Sequence, residues 1–263
     1  MKKINNGFLK TLISNRVTTV AAAWVYYFLT ALLPLVFLMI TAFGVFKVDL
    51  AAALVAKLPE EFRKAGELIV STAQNASGGI TVFFFITVLF SGSALLNQMI
   101  KDGEHFYKIK PEQRRGLGRR LFAVASLGVI FCVFLVAALV FAFEGKIIAI
   151  LGIADKNGIF TEILSFLFII LFIYAIIILL NKIICPVKIS FSKLVTGAFV
   201  ALCIIVIGSI AFMLYLRFFN NYNKFYGSLA AIIVFLLWAY IVMLGLSIGA
   251  VTCTYLCDKR VKD

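Results

Sequence analysis

Charge is scarce in this sequence. Only 14% of its 263 residues are Asp, Glu, Lys or Arg, against about 25% in an ordinary soluble domain, which argues against a water-soluble fold. There is one histidine, His105, so no centre built on two imidazoles is available. The five cysteines (Cys132, Cys185, Cys203, Cys253 and Cys257) form no CxxC pair. Four of them lie within or against apolar runs, where a thiol behaves as a small apolar group. A disulfide framework of the kind found in small secreted domains is therefore not indicated. HExxH, phosphate-loop and GxSxG patterns are all missing. A cleavable leader is not expected either, because the first apolar run is too long and no small-residue cleavage site follows it directly.

Long apolar runs take the place of charge. The chain is 63% hydrophobic with a mean hydropathy of +1.08. Crossing a bilayer takes about 20 mostly apolar residues, and several charge-free runs reach that length. The expected fold is all-α: a polytopic membrane protein of about six transmembrane helices, near 20–46, 80–99, 121–143, 159–180, 194–216 and 226–256. With no long polar linker, a single integral membrane domain should cover 1–263. The segment at about 47–79 mixes Leu50, Leu54, Leu58, Phe62 and Ile69 with Lys57, Glu60, Glu61, Arg63, Lys64 and Glu67. It reads as an extracytoplasmic amphipathic helical segment. Ahead of the first span, Phe8, Leu9, Leu12 and Ile13 recur at helical spacing among Lys and Arg, which predicts a short amphipathic helix on the inner membrane surface.

Basic residues exceed acidic ones, 25 to 12, and the surplus has a direction. The N-terminal tail, the 100–120 and 181–193 loops and the C-terminal tail fall on one side of the expected topology. Nearly all of the net +13 lies there. The positive-inside rule assigns that side, with both termini, to the cytoplasm. The basic surplus is then a topology signal and a contact surface for anionic lipid headgroups. It needs no specific nucleic acid to account for it.

No charged residue falls near any expected midplane, where proton relays and ion paths are marked by buried charge. Glu144, Glu162 and Arg217 sit near the outer ends of spans. Uncharged polar residues are more plentiful. Tyr26, Tyr27 and Thr30 precede Pro34, which removes a helix hydrogen bond and loosens the backbone beside them. Loosened backbone in a membrane has to face protein or a polar cavity. Ser93 and Asn97 in the second span, and Tyr226, Gly227, Ser228 and Trp238 in the last, complete a candidate substrate-binding cavity. Packing between helices is the competing role for such residues. Gly245 and Gly249 form a GxxxG pattern suited to close helix approach, within the chain or in a homodimer. His105 with Asp102 and Glu104 lies in the expected basic loop, which offers little to hold a metal ligand set in place. No metal site, catalytic residue or cofactor is expected.

The run Ala21-Ala22-Ala23-Trp24-Val25-Tyr26-Tyr27-Phe28-Leu29-Thr30-Ala31-Leu32-Leu33-Pro34-Leu35 resembles the first-span signature of the YihY/BrkB family. Tyr226-Gly227-Ser228-Leu229-Ala230-Ala231, followed by Trp238, Tyr240 and Gly249-Ala250, resembles its last-span motif. Pro186, Gly197-Ala198, Arg114-Arg115 and Arg119-Arg120 fit in the same order. The sequence departs at Val251, where the family commonly has an acid, and near Glu104, where an Asn is frequent. The resemblance implies a six-helix bacterial inner-membrane protein. It also implies a role leaning toward transport or export of envelope-related molecules. The family's historical name, ribonuclease BN, is widely regarded as a misassignment. The expected function is a transporter or flippase-like protein for a neutral or amphipathic substrate. A membrane scaffold is the alternative, and a ribonuclease the least supported reading.

Overall fold

The computed structural model describes residues 2–45, 71, 78–109, 116–142, 159–187, 189–218 and 229–258. Among them the chain is all helical. Seven helices follow one another: α1 (Lys2–Ser14), α2 (Val17–Val45), α3 (Gly78–Phe106), α4 (Gly116–Ala142), α5 (Ile159–Ile184), α6 (Phe191–Phe218) and α7 (Leu229–Asp258). Among the described residues five helices, α3 to α7, are long and apolar enough to cross a membrane, and α2 adds a shorter described apolar stretch, Val17–Leu32. Most of the expected segment at 47–79 lies outside the described residues, as do Tyr226, Gly227 and Ser228.

The helices form an antiparallel bundle whose best-buried core lies toward one end. There the starts of α2, α4 and α6 meet the ends of α3, α5 and α7. Trp24, Ile100, Phe106, Ile184, Ala198 and Val251 are among its buried residues. α7 packs along α6 and against α2, α2 along α3, α3 on α4, and α5 on α6. Away from that core, large side chains such as Phe83, Phe90, Leu121, Phe166, Ile207 and Met213 point outward. Exposed apolar surface on that scale is untenable in water and is what a lipid-facing wall requires.

Local signals set the helix ends. Asn15 returns its side-chain N–H to the Thr11 carbonyl at 2.8 Å, and Arg16 takes a left-handed φ of 48°, so α1 closes and the chain turns into α2. α3 ends in a Schellman turn. Lys108 has φ 51°, its N–H donates to the His105 carbonyl, and the Ile109 N–H reaches the Glu104 carbonyl, both at 3.0 Å. α1 lies beside the end of α7, with the Phe8 and Tyr255 rings edge to face at 5.4 Å. Its Leu9 and Ile13 are exposed.

Small residues let α6 and α7 touch backbone to backbone. A methyl placed on Gly249 would come within 2.7 Å of the Ala201 Cβ and 2.8 Å of the Gly197 carbonyl oxygen. One on Gly245 would meet Ile205 at 2.6 Å. The Gly245/Gly249 pair thus faces α6 of the same chain.

Candidate functional site

The last turns of α3 carry Asn97, Gln98, Asp102 and Glu104. In a helix Asn97 and Glu104 share a face two turns apart, and Gln98 and Asp102 share a neighbouring one. α2 brings Trp24 against the second face. Its indole N–H donates to Asp102 Oδ2 at 2.7 Å, while the Gln98 amide donates to Asp102 Oδ1 at 3.0 Å. α4 brings Arg119 against the first. Its Nε donates to Asn97 Oδ1 at 2.9 Å, and a terminal guanidinium nitrogen pairs with Glu104 Oε2 at 2.8 Å. Glu104 is 1% exposed and Trp24 fully buried. Two carboxylates and a guanidinium therefore tie three helices together at the well-packed end.

The same end is held by further polar contacts. The buried Ser247 hydroxyl of α7 lies 3.3 Å from the Val17 carbonyl at the start of α2. The Cys253 thiol donates to the Lys193 carbonyl at 3.5 Å, and Lys193 Nζ lies 3.6 Å from Cys257 Sγ. These contacts join α7 to α2 and α6. α3 approaches α5 so closely that a methyl on Gly103 would collide with the Ile184 carbonyl.

The residues singled out from sequence are dispersed among the described ones. Asn97 belongs to the cluster. Tyr26 is 64% exposed and stacks edge to face on Tyr27 at 5.4 Å. The Thr30 hydroxyl turns back to the Tyr27 carbonyl at 2.8 Å, and that of Ser93 to the Phe90 carbonyl at 3.1 Å. Pro34 is buried within α2. Trp238 is partly exposed on α7, its indole N–H 3.3 Å from Ser209 Oγ on α6. Tyr226, Gly227 and Ser228 fall outside the described residues.

Trp24, Asp102, Glu104 and Arg119 were not among the candidates for the cavity. The reading that ends the second span near 99 places Asp102 and Glu104 in a solvated loop. In the structure α3 continues to Phe106, because Met99, Ile100 and Phe106 extend its apolar face and Gly103 lets it close on α5. The usable signal was the spacing of Asn97 and Glu104 along one uninterrupted helix. No group of three His, Cys, Asp or Glu among the described residues is placed to hold a metal ion. His105 is exposed.

The Trp24–Asp102 bond supplies a prediction. A hydrogen bond to a charged group contributes about 1.5–3 kcal/mol. Trp24→Phe keeps an aromatic ring and removes the donor, so stability in detergent should fall by about that amount. A variant that melts with the wild type would show that the bond contributes nothing.

An all-helical bundle with lipid-facing walls and a charged cluster closing one end defines a polytopic membrane protein. The chain matches the family described as Virulence factor BrkB over residues 8–262, and it belongs to that family. It is 26% identical to the ribonuclease-like protein YfkH of Bacillus subtilis over 251 residues, covering 88% of each chain. It is 27% identical to a UPF0761 membrane protein of Photobacterium profundum over 247 residues, 90% of this chain and 76% of the relative. A UPF0761 membrane protein of Coxiella burnetii is 34% identical over 73 residues, 28% of this chain and 26% of that one. No solved structure matches.

Proposed function

We propose that this protein is a transporter or flippase-like protein of the bacterial plasma membrane, with the α2–α3–α4 polar cluster as its cytoplasmic closure. Its substrate is a neutral or amphipathic envelope-related molecule. The observation that carries this reading is the pair of buried Glu104 with partly buried Arg119, beside Trp24–Asp102. Apolar side chains of similar volume would hold a static bundle end at least as well. Ionisable residues inside membrane bundles are costly and mark function by default. What the cluster adds over apolar packing is a connection that separates and reforms as a unit. Pro34 within α2 gives that helix a weakened point beyond Trp24. The basic end faces the cytoplasm under the positive-inside rule, which puts both termini inside and its lysines and arginines against anionic headgroups.

The reading assigns no enzymatic role and no cofactor. The ribonuclease-like label belongs to YfkH, and the acids of this cluster are tied to Trp24, Gln98 and Arg119. Metal-dependent RNA cleavage by the purified protein, lost in His105→Ala, would reinstate the nuclease.

The test is lipid movement in proteoliposomes carrying a head-group-stable fluorescent phospholipid, read by quenching from outside with dithionite. Empty vesicles lose only the outer-leaflet signal. With the protein present, the inner-leaflet signal should be lost as well, and the rate should change when Arg119→Ala opens the closure. If neither lipid nor small envelope-type solutes move in any composition tried, a non-transporting scaffold becomes the better account.

A further inference from the structure

A second polar feature lies outside the ionic cluster. Asn181, on the last turns of α5, is 2% exposed, and both its amide nitrogen and its amide oxygen lack hydrogen-bond partners among the described residues. A primary amide carries two donors and an acceptor. Burying all of them unmet is among the more expensive arrangements in a low-dielectric interior. Nearly all buried polar groups have partners, so an orphan of this kind points to a guest.

A second orphan flanks the same turn. The Tyr107 hydroxyl, just past the end of α3, is buried with no hydrogen-bond partner among the described residues. Its nearest polar neighbours are the Cys185 thiol and the Thr254 hydroxyl, both within side-chain hydrogen-bonding reach, with Cys253 close by. Cys185 sits one turn beyond Asn181, just past the end of α5, its backbone N–H bonded to the Asn181 carbonyl at 3.0 Å. Those neighbours send their own protons elsewhere, so it is the phenol oxygen that is left to accept. The Cys185 thiol points to the Val187 carbonyl at 3.0 Å and the Thr254 hydroxyl to the Ala250 carbonyl at 3.2 Å. Burial pushes the Tyr107 phenol above its ordinary value, which keeps it a neutral donor and acceptor.

We propose that Asn181 and Tyr107 form a binding site for a neutral hydroxyl group, enclosed where the ends of α3 and α5 meet. Neither orphan carries charge, and a hydroxyl, which donates one bond and accepts others, matches an amide on one side and a phenol on the other. An ion entering there would lose its hydration without meeting a counter-charge from either group. Two sources supply this chemistry: an ordered water, which needs two to four polar partners, or the headgroup hydroxyl of a lipid. The site stands independently of the transport reading, since a bound water here would neither support nor oppose lipid movement.

The experiment is a high-resolution structure of the full chain in nanodiscs, made once in phosphatidylcholine and once with phosphatidylglycerol. Thermal stability of the variants is measured in parallel. Density within hydrogen-bonding distance of both side chains in both lipids identifies water. Density only with phosphatidylglycerol, continuous with its glycerol, identifies the headgroup. Either result supports the site, and its loss in Asn181→Leu with an unchanged or lower Tm completes the case. Tyr107→Phe, which removes one oxygen, should weaken that density without unfolding the protein, so a misfolded Asn181→Leu does not end the test. An empty wild-type site overturns the proposal. So does a rise in Tm of about 2–4 °C or more in Asn181→Leu, because removing an unmet amide is stabilising only if nothing was bound to it.

Discussion

Replacing Arg119 with alanine is expected to destabilise the folded protein by up to about 3 kcal/mol, since the usual ~3–5 kcal/mol for stranding one half of a buried ion pair is reduced where the lost partner was partly exposed. Glu104 is 1% exposed and pairs at 2.8 Å with Arg119, whose side chain is 19% exposed, so it is the carboxylate that is left buried when the guanidinium goes. Asn97 loses its donor in the same step. The prediction becomes specific in a double-mutant cycle. Glu104→Gln alone should also be costly, since a neutral amide answers the guanidinium poorly. Arg119→Met combined with Glu104→Met should recover most of the loss, because apolar replacement of both members of a buried pair is often neutral or stabilising. Thermal unfolding of the wild type, the single variants and the double variant in one detergent measures this. If the two single losses simply add in the double variant, the residues are not coupled. If the double variant is as stable as the wild type yet transports differently, the pair serves the switching and not the stability of the bundle.

Gly103→Ala is expected to have an effect of comparable size. The added methyl would collide with the Ile184 carbonyl. That obstacle is backbone, which cannot rotate away as a side-chain tip can. Overpacking commonly costs about 1–3 kcal/mol and occasionally more, and this site belongs at or above the upper end. α3 would be pushed off α5 just where Asp102 and Glu104 leave it, so the cluster should loosen along with the fold. Folded yield and Tm report the first effect. The emission of Trp24, read against a Trp238→Phe background, reports the second. Gly118→Ala and Gly128→Ala on α4 are the controls, because a methyl at either meets nothing within 4 Å. At those positions alanine should be neutral or favourable by up to about 1 kcal/mol. A Gly103→Ala protein as stable as these controls would mean that α3 and α5 are not in backbone contact.

Composition and periodicity alone were enough to read an all-helical membrane protein, because a bilayer leaves the backbone few ways to satisfy its polar groups. The first- and last-span residues were enough to suggest its family, because those runs combine Ala-rich, Tyr-Tyr and Pro elements in a fixed order. The amphipathic α1 was legible too, from Phe8, Leu9, Leu12 and Ile13 at helical spacing. The polar cluster was not. Asp102 and Glu104 follow an apolar run and sit among lysines, and one-dimensional hydropathy reads such residues as solvated loop. Whether they are buried depends on what packs over them: Trp24 is 78 residues away in sequence from Asp102, and Arg119 is 15 from Glu104. The same holds for Asn181, whose lack of partners among the described residues shows only once the helices are packed. The GxxxG motif offered close approach without a partner, and the chain's own α6 supplies one. Sequence determined which segments enter the membrane, because the solvent decides that segment by segment. Tertiary structure decided which polar side chains leave water, because that depends on contacts between helices that no single segment contains.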